Sequence, residues 1–406
     1  MKTKWVILTV LLFGIVLLMA GCWNSRELNK LAIVMAMAID KVEQTNEYKV
    51  SFQVVNPGAV SPGATGGGAG ANAASVAVFT GVGKNLFEAI RKTSQKVPRQ
   101  LFFSHMQLLV IGEAVAKEGI QEVFDFFDRD SEARLTTKVL VTRDVEAGAM
   151  LKILTPLESI PANAHTRKVE LSEKLWSGNV NNEIDDVIKA LVVVGREPII
   201  SGAKIVGNPK EGKKKSNMEQ ADPQALVEIK GVALFKEGKL KRWVDGNEIR
   251  GILRVQNKMK STIINIDCKD EKDAIGIEVI RSKTDVTAEV QAGRPVIHID
   301  IRQEGNVGEV RCPIDLTKQE EITKLEKEWI RETKKEVIKA VEIAQSEKSD
   351  IFGFGEAVKR ADPKTWEKMR KEWSKTFAVS KVDVKVDAFI QRPGMRTKPY
   401  LSDLKK

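Results

Sequence analysis

At 406 residues the chain is long enough for two or three domains with buried cores, and 42% hydrophobic with 30% charged residues is a globular composition that excludes a disordered or fibrous chain. The formal net charge is +10. Acids and bases are interleaved, as in Glu326-Lys327-Glu328 and Lys334-Lys335-Glu336, so the charge does not form the basic stripe of a nucleic-acid binder and no nucleic-acid partner is expected.

Lys2 and Lys4 precede an apolar run from Trp5 to Leu18, the order of a secretory signal. The run is short of the roughly 20 apolar residues that cross a bilayer core. It ends in Met19-Ala20-Gly21-Cys22, which resembles the lipobox of bacterial lipoproteins, with Met19 where leucine is commoner. Cleavage between Gly21 and Cys22 is therefore expected, with S-diacylglycerol and N-acyl groups on Cys22. Two or three acyl chains, at about 0.8 kcal/mol per buried CH₂, would hold the polypeptide on a membrane surface without crossing it. Removal of residues 1–21 leaves 63 basic against 55 acidic residues, a net of +8 suited to anionic lipid.

The first domain is expected over residues 22–198. Asn24 and Glu27 have capping-box spacing for a short helix just after the lipid. Leu31 to Asp40 and Tyr48 to Val55 read as two strands of a hairpin around a polar turn. Residues 56–75 are rich in Gly, Ala and Pro without an aromatic, the composition of a flexible loop. A strand at Val76 to Thr80 leads into Gly81-Val82-Gly83-Lys84-Asn85, which fails as a phosphate loop because Asn85 replaces the Ser or Thr that would meet magnesium. Helical spacing at Leu86 to Gln95, a strand with flanks at Leu101 to Gly112, a helix at Val115 to Phe127, a strand at Leu135 to Thr142 and a helix at Ile184 to Val194 complete a mixed α/β pattern.

Residues 199–261 are expected as a small β-rich middle domain. Within them, Gly207 to Pro223 is a solvated connection carrying Lys213-Lys214-Lys215, and Leu226 to Trp243 is strand, turn, strand. A C-terminal domain over residues 262–406 would combine strands at Thr262 to Cys268, Ile275 to Lys283, Asp285 to Gln291 and Val296 to Gln303 with one long helix. That helix is predicted over Thr317 to Ser346, where Ile322, Leu325, Trp329, Val337, Val341 and Ala344 fall on one stripe. Trp366, Trp373 and Phe377 step by seven and four residues, the spacing of a helix core face. With Cys22 acylated, Cys268 and Cys312 remain, either paired or as buried free thiols.

No catalytic constellation stands out. His105, His165 and His298 are far apart in sequence, neither a His-Glu-x-x-His nor a Gly-x-Ser-x-Gly occurs, and the cysteines are too few for a zinc cluster, so neither catalytic residues nor a metal or cofactor is expected. His105 reads as a hydrogen-bonded structural residue. Two places have the character of partner contacts. Arg129, Asp130, Glu132 and Arg134 are either an intramolecular ion network closing the preceding helix or a subunit contact. Phe352 and Phe354, set among glycines in Asp350-Ile351-Phe352-Gly353-Phe354-Gly355-Glu356, either fold a tight turn onto the core or form an exposed partner loop.

Several stretches together resemble the C-subunit family of spore germinant receptors, the Ger(x)C lipoproteins. They are Cys22-Trp23-Asn24-Ser25-Arg26-Glu27-Leu28-Asn29, His105 with Val110-Ile111-Gly112-Glu113, Lys117-Glu118-Gly119-Ile120 and Phe127-Asp128-Arg129-Asp130-Ser131-Glu132-Ala133-Arg134. Gly231 to Lys236, Glu248 to Gly251, the Asp350 to Glu356 stretch, and Trp366 with Trp373 and Phe377 follow in the same order. The resemblance implies an α+β lipoprotein of three mixed α/β domains on the outer face of the spore inner membrane. It also implies assembly with integral-membrane A- and B-type receptor subunits, and no catalytic residues. The competing functional class is a lipid-anchored solute-binding protein that captures the germinant itself.

Overall fold

The apolar alternation near the start folds as a hairpin, with β1 (Leu31–Lys41) antiparallel to β2 (Tyr48–Val55) and Asn46 in the left-handed conformation at the turn. In the computed structural model the described residues are 3–6, 28–60, 73–130, 132–268, 271–392 and 394. Gly21, Cys22 and the expected short helix at Asn24 lie outside them, as does most of the Gly/Ala/Pro loop. The ends of that loop are pinned together: the Asn56 N–H donates to the Ser75 carbonyl at 2.8 Å and its side-chain amide to the Ala74 carbonyl at 3.2 Å.

β3 (Val76–Gly83) adds to β2 and leads into α1 (Leu86–Thr93), whose first turn is capped by Asn85 accepting the Glu88 N–H at 2.8 Å. The Gly81-Val82-Gly83 pair has a packing role. A Cβ at Gly81 would lie 2.1 Å from the Ala89 carbonyl oxygen and one at Gly83 2.5 Å from the Ala89 nitrogen, so the absent side chains let α1 lie directly on β3.

Two expected single elements are each divided. The stretch Leu101 to Gly112 becomes β4 (Gln100–Phe102), paired with the start of β1, and β5 (Leu108–Ile111), paired with its later half, because a turn at His105 moves the chain along β1. The predicted helix Val115 to Phe127 becomes α2 (Glu113–Glu118) and α3 (Gln121–Arg129), broken at Gly119, whose φ of 146° is closed to other residues. β6 (Lys138–Thr142) runs parallel to β5. After a helical turn at Ala147–Met150 comes a helix that no sequence signal indicated, α4 (Pro161–Trp176), followed by α5 (Ile184–Val192).

The strands of the 199–261 segment do not close a sheet of their own. β7 (Ile199–Gly207) lies parallel to β6, and β8 (Ala225–Lys236) and β9 (Lys239–Val244) follow it antiparallel. They complete a nine-stranded sheet in the order β3-β2-β1-β5-β6-β7-β8-β9, with β4 on β1. Strand periodicity reports which faces are buried but not which neighbour a strand takes. The open edge of β6 is what β7 covers. Helices α1, α2, α3 and α5 pack on one face of this sheet, α4 and the 147–150 turn on the other.

α6 (Asn247–Val255) leads to a second sheet in the order β10-β11-β12-β13, made of β10 (Thr262–Cys268), β11 (Glu271–Gln291), β12 (Arg294–Val310) and β13 (Lys381–Arg392). The two strands expected at 275–283 and 285–291 are one continuous β11. α7 (Gln319–Ser346) lies on this sheet with its predicted stripe buried. α8 (Phe354–Ala361), α9 (Pro363–Met369) and α10 (Trp373–Ala378) carry Trp366, Trp373 and Phe377 inward, with the two tryptophan rings edge to face at 5.2 Å. One core joins the sheets: Ile199, Val232 and Leu234 of the first pack in a common cluster with Ile252 of α6, Val341 of α7 and Ile297 and Ile299 of the second. Cys268 and Cys312, left open by the sequence, are disulfide-bonded with their Cα atoms 6.3 Å apart, tying the end of β10 to the chain that leaves β12.

Candidate functional site

A cleft of about 810 Å³ lies on the first sheet, between α1 and α3. Its apolar surface comes from Phe87 and Ile90 of α1, Leu101 of β4, Phe103 beyond it and Phe126 of α3. Amphipathic spacing places these residues. α1 buries Leu86, Ala89 and Thr93 against the sheet, which turns Phe87 to the cleft and leaves it 58% exposed. The Phe103 ring meets the buried Phe52 ring edge on at 5.7 Å, so the floor continues into the core.

The polar rim has two unlike ends. Toward α3 the groups are engaged with one another. Arg129 reaches back one turn to Asp125 through two hydrogen bonds, Nε–Oδ2 at 2.9 Å and Nη2–Oδ1 at 3.0 Å, and this contact holds the Asp125 carboxyl below its usual value. Asp130 accepts the Glu132 N–H at 2.7 Å, and the Tyr48 hydroxyl donates to Glu122 at 2.7 Å, where burial and that carboxylate push the phenol pKa up. Toward α1 and β4 stand Arg91, its guanidinium 5.0 Å from the Phe87 ring centre, and Arg99. Both are exposed, and neither forms an ion pair among the described residues.

The structure thus brings Arg129, Asp130 and Glu132 to one cleft rim, leaves Arg134 exposed beyond it, and resolves the cluster into local pairs. Arg91, Arg99 and Phe87 were not singled out by sequence. The signal available was an aromatic at a helix position opposite the buried face.

The second expected contact needs correcting. Phe354 is fully buried and stacks on the half-buried Phe352 with ring centres 5.0 Å apart, so Phe354 offers nothing to a partner. The residue that organises this turn is Asp350. One carboxylate oxygen accepts the N–H groups of Phe352, Gly353 and Phe354 at 2.9–3.2 Å, and the other accepts the Gly355 N–H and the Trp373 indole N–H, each at 2.8 Å. Burial pushes its pKa up to about 6 against those donors. Nearby Glu197 is pushed up to about 7, by burial first and then by the negative charges of Glu237 and Asp350.

The histidines lie in three separate places. His105 is exposed and leans on Phe102 at 5.8 Å, with no hydrogen bond on its ring among the described residues, unlike the structural role expected of it. His165 is fully buried in α4, its pKa driven down to about 3 by desolvation, and neither ring nitrogen has a partner among the described residues. His298 stands on the second sheet with Nε2 3.0 Å from Glu289. No group of three or more His, Cys, Asp or Glu side chains among the described residues is placed to hold a metal ion, and no helix among them is long and apolar enough to cross a membrane. The class so defined is a two-sheet α+β protein with an amphipathic cleft on the outer part of its first sheet.

Family profiles divide the chain in two: residues 24–205 match the spore germination protein N-terminal domain, and residues 230–394 match the profile described as spore germination B3/GerAC like, C-terminal. Spore germination protein KC of Bacillus subtilis (strain 168) is 36% identical over 402 residues, covering 98% of each chain. The putative spore germination protein YfkR of the same organism is 28% identical, covering 94% of this chain and 95% of its own. A crystal structure of the GerBC protein superimposes with a TM-score of 0.50 at 19% identity, covering 87% of this chain and 96% of that one, which shows a shared fold. The chain belongs to the GerAC/B3 family of spore germination proteins.

Proposed function

We propose that the chain is the non-catalytic, lipid-anchored C subunit of a spore nutrient germinant receptor, held through Cys22 on the outer face of the spore inner membrane and acting through integral-membrane A- and B-type subunits. The observation that carries this reading is the match to a spore germination protein over nearly the whole length of both chains. The lipobox supports the anchor, since a body with no spanning helix among its described residues needs another hold on the membrane. Subunit contact is assigned to the outer side of α3 and the segment after it, where Arg129 and Arg134 are exposed and Asp130 and Glu132 line the rim.

The test has three arms. Deletion should abolish germination triggered by the receptor's nutrient while leaving nutrient-independent germination intact. Cys22→Ala should lose the acyl mass and the membrane fraction together. Photocrosslinkers at Arg134, Trp176 and Lys385 in intact spore membranes should yield products with the integral subunits from the first position. Products only from the other two would move the contact elsewhere. The rival solute-binding reading would be adopted if the purified protein gave a one-to-one calorimetric isotherm with the nutrient.

A further inference from the structure

We infer that the cleft between α1 and α3 is a phospholipid site: a membrane lipid with an anionic headgroup places its phosphate at Arg91 and Arg99 and an acyl chain against Phe87, Ile90, Leu101 and Phe103. The inference rests on the lipid-anchored reading given above.

Charge distribution favours this occupant. Carboxylates gather at the α3 end, where Asp125 is ion-paired with Arg129 while Asp130 and Glu122 accept from a backbone N–H and the Tyr48 hydroxyl, neutral donors that bring no positive charge, so an anionic headgroup is directed to the opposite end. At the other end two guanidinium groups stand without ion pairs beside exposed aromatic surface. A guanidinium presents a planar fork matched to phosphate oxygens, and an unpaired one next to an apolar groove suits a ligand that is anionic at one end and hydrocarbon at the other. A volume of about 810 Å³ is well above what an inorganic anion requires.

Chain geometry makes the same choice. β4, which supplies Gln100 and Leu101 to the cleft wall, pairs with the very start of β1, Leu31 against Gln100 and Ala32 against Leu101. The wall is therefore about 4.8 Å, one strand spacing, from the point where the chain enters the fold. Residues 23–30 are all that separate Cys22 from Leu31, and at about 3.5 Å per residue they extend at most roughly 30 Å. An acyl anchor on Cys22 keeps this end of the first sheet within a short tether of the bilayer, whichever way the rest of the body is turned.

The experiment uses the full-length protein extracted from membranes and reconstituted into phosphatidylcholine vesicles containing a trace of photoactivatable phosphatidylglycerol or, in a parallel sample, photoactivatable phosphatidylcholine. Labelled peptides are mapped by mass spectrometry, and the mass of the amino-terminal peptide reports Cys22 acylation in the same digest. The expected result is phosphatidylglycerol label in the peptides covering residues 86–103, reduced roughly tenfold in Arg91→Gln/Arg99→Gln and weaker with phosphatidylcholine. Both substitutions are at exposed positions, and unchanged thermal unfolding verifies that the variant is folded.

Equal labelling of parent and variant, or label confined to other peptides, overturns the lipid site while an acylated amino terminus leaves the anchor standing. Displacement of the label by inorganic phosphate would show that the anion alone is recognised, and this also overturns a lipid site. If the amino terminus is not acylated, the anchor reading fails. The site then stands or falls on whether vesicles added in trans still give arginine-dependent label. Crosslinks from position 87 in spore membranes that go to protein and not to lipid assign the cleft to a partner chain and overturn the inference.

Discussion

Asp350 shows how much one buried carboxylate can organise. Five N–H donors converge on it, four from the turn at residues 352–355 and the fifth from the Trp373 indole of α10, and it sits just ahead of α8, where the helix end favours negative charge. Asp350→Ala should therefore destabilise the protein by about 3–5 kcal/mol, with Asp350→Asn intermediate, as read from urea unfolding midpoints. Glu197 is the residue for a pH measurement. Its folded-state pKa is raised to about 7 from an ordinary value near 4.5, so the folded form holds a proton that the unfolded form has already released between those two values. Stability from this group is full below about pH 4.5 and is lost as pH rises toward 7. Glu197→Gln should flatten that part of the profile, and parallel melting curves for parent and variant between pH 5 and 8 would contradict the assignment. Neither role is visible in sequence, because what shifts both groups is the desolvation of a folded neighbourhood.

At the scale of elements, legibility followed the size of the buried side chains. The β1–β2 hairpin and α7 were readable because large apolar residues mark their inner faces. α4 was not: it buries Ala162, Ala164, His165, Thr166 and Val169, while Leu171, Leu175 and Trp176 are 55%, 62% and 53% exposed. Its inner face is small and partly polar and its outer face greasy, the inverse of the usual rule. The cleft was half legible. The charges at the end of α3 stand out in sequence, but Arg91 and Arg99 acquire meaning only when the turn at His105 brings β4 back beside β1. Between α6 and α7 the tie is ionic. Glu336 accepts from both Arg250 and Arg254, all three side chains are nearly or fully buried, and Arg250 also donates to the Ile263 carbonyl at 3.0 Å. Glu336→Gln strands two guanidinium groups without a carboxylate in the core. It should cost about 3–5 kcal/mol, measurable as a lowered unfolding midpoint with α7 losing amide-exchange protection first.

For the whole molecule, two sheets share a core, since β7–β9 of the 199–261 segment join the first sheet and α6 docks on α7. No periodicity in 199–261 could report this, because the same alternating strands would serve a separate sheet equally well. Unfolding should accordingly be a single transition for both sheets. The disulfide closes a loop with a sequence separation of 44, so Cys268→Ser/Cys312→Ser should lower stability by at most about 4 kcal/mol by the loop-entropy argument. A melting temperature unchanged by the double substitution would mean that the packing of Ile275, Ile277, Leu325 and Trp329 holds that end unaided.

The position of β13 sets an order of events for folding. Its partner in the second sheet is β12, alongside which it runs parallel, and its Val386 and Ile390 complete cores begun far earlier in the polypeptide. The second sheet therefore stays open at one edge until residues 381–392 are in place. During that interval β12 and the underside of α7 present unpaired backbone and bare hydrocarbon to their surroundings. A chain that stops short of residue 381 leaves the second sheet without β13 and both cores without the residues that strand supplies.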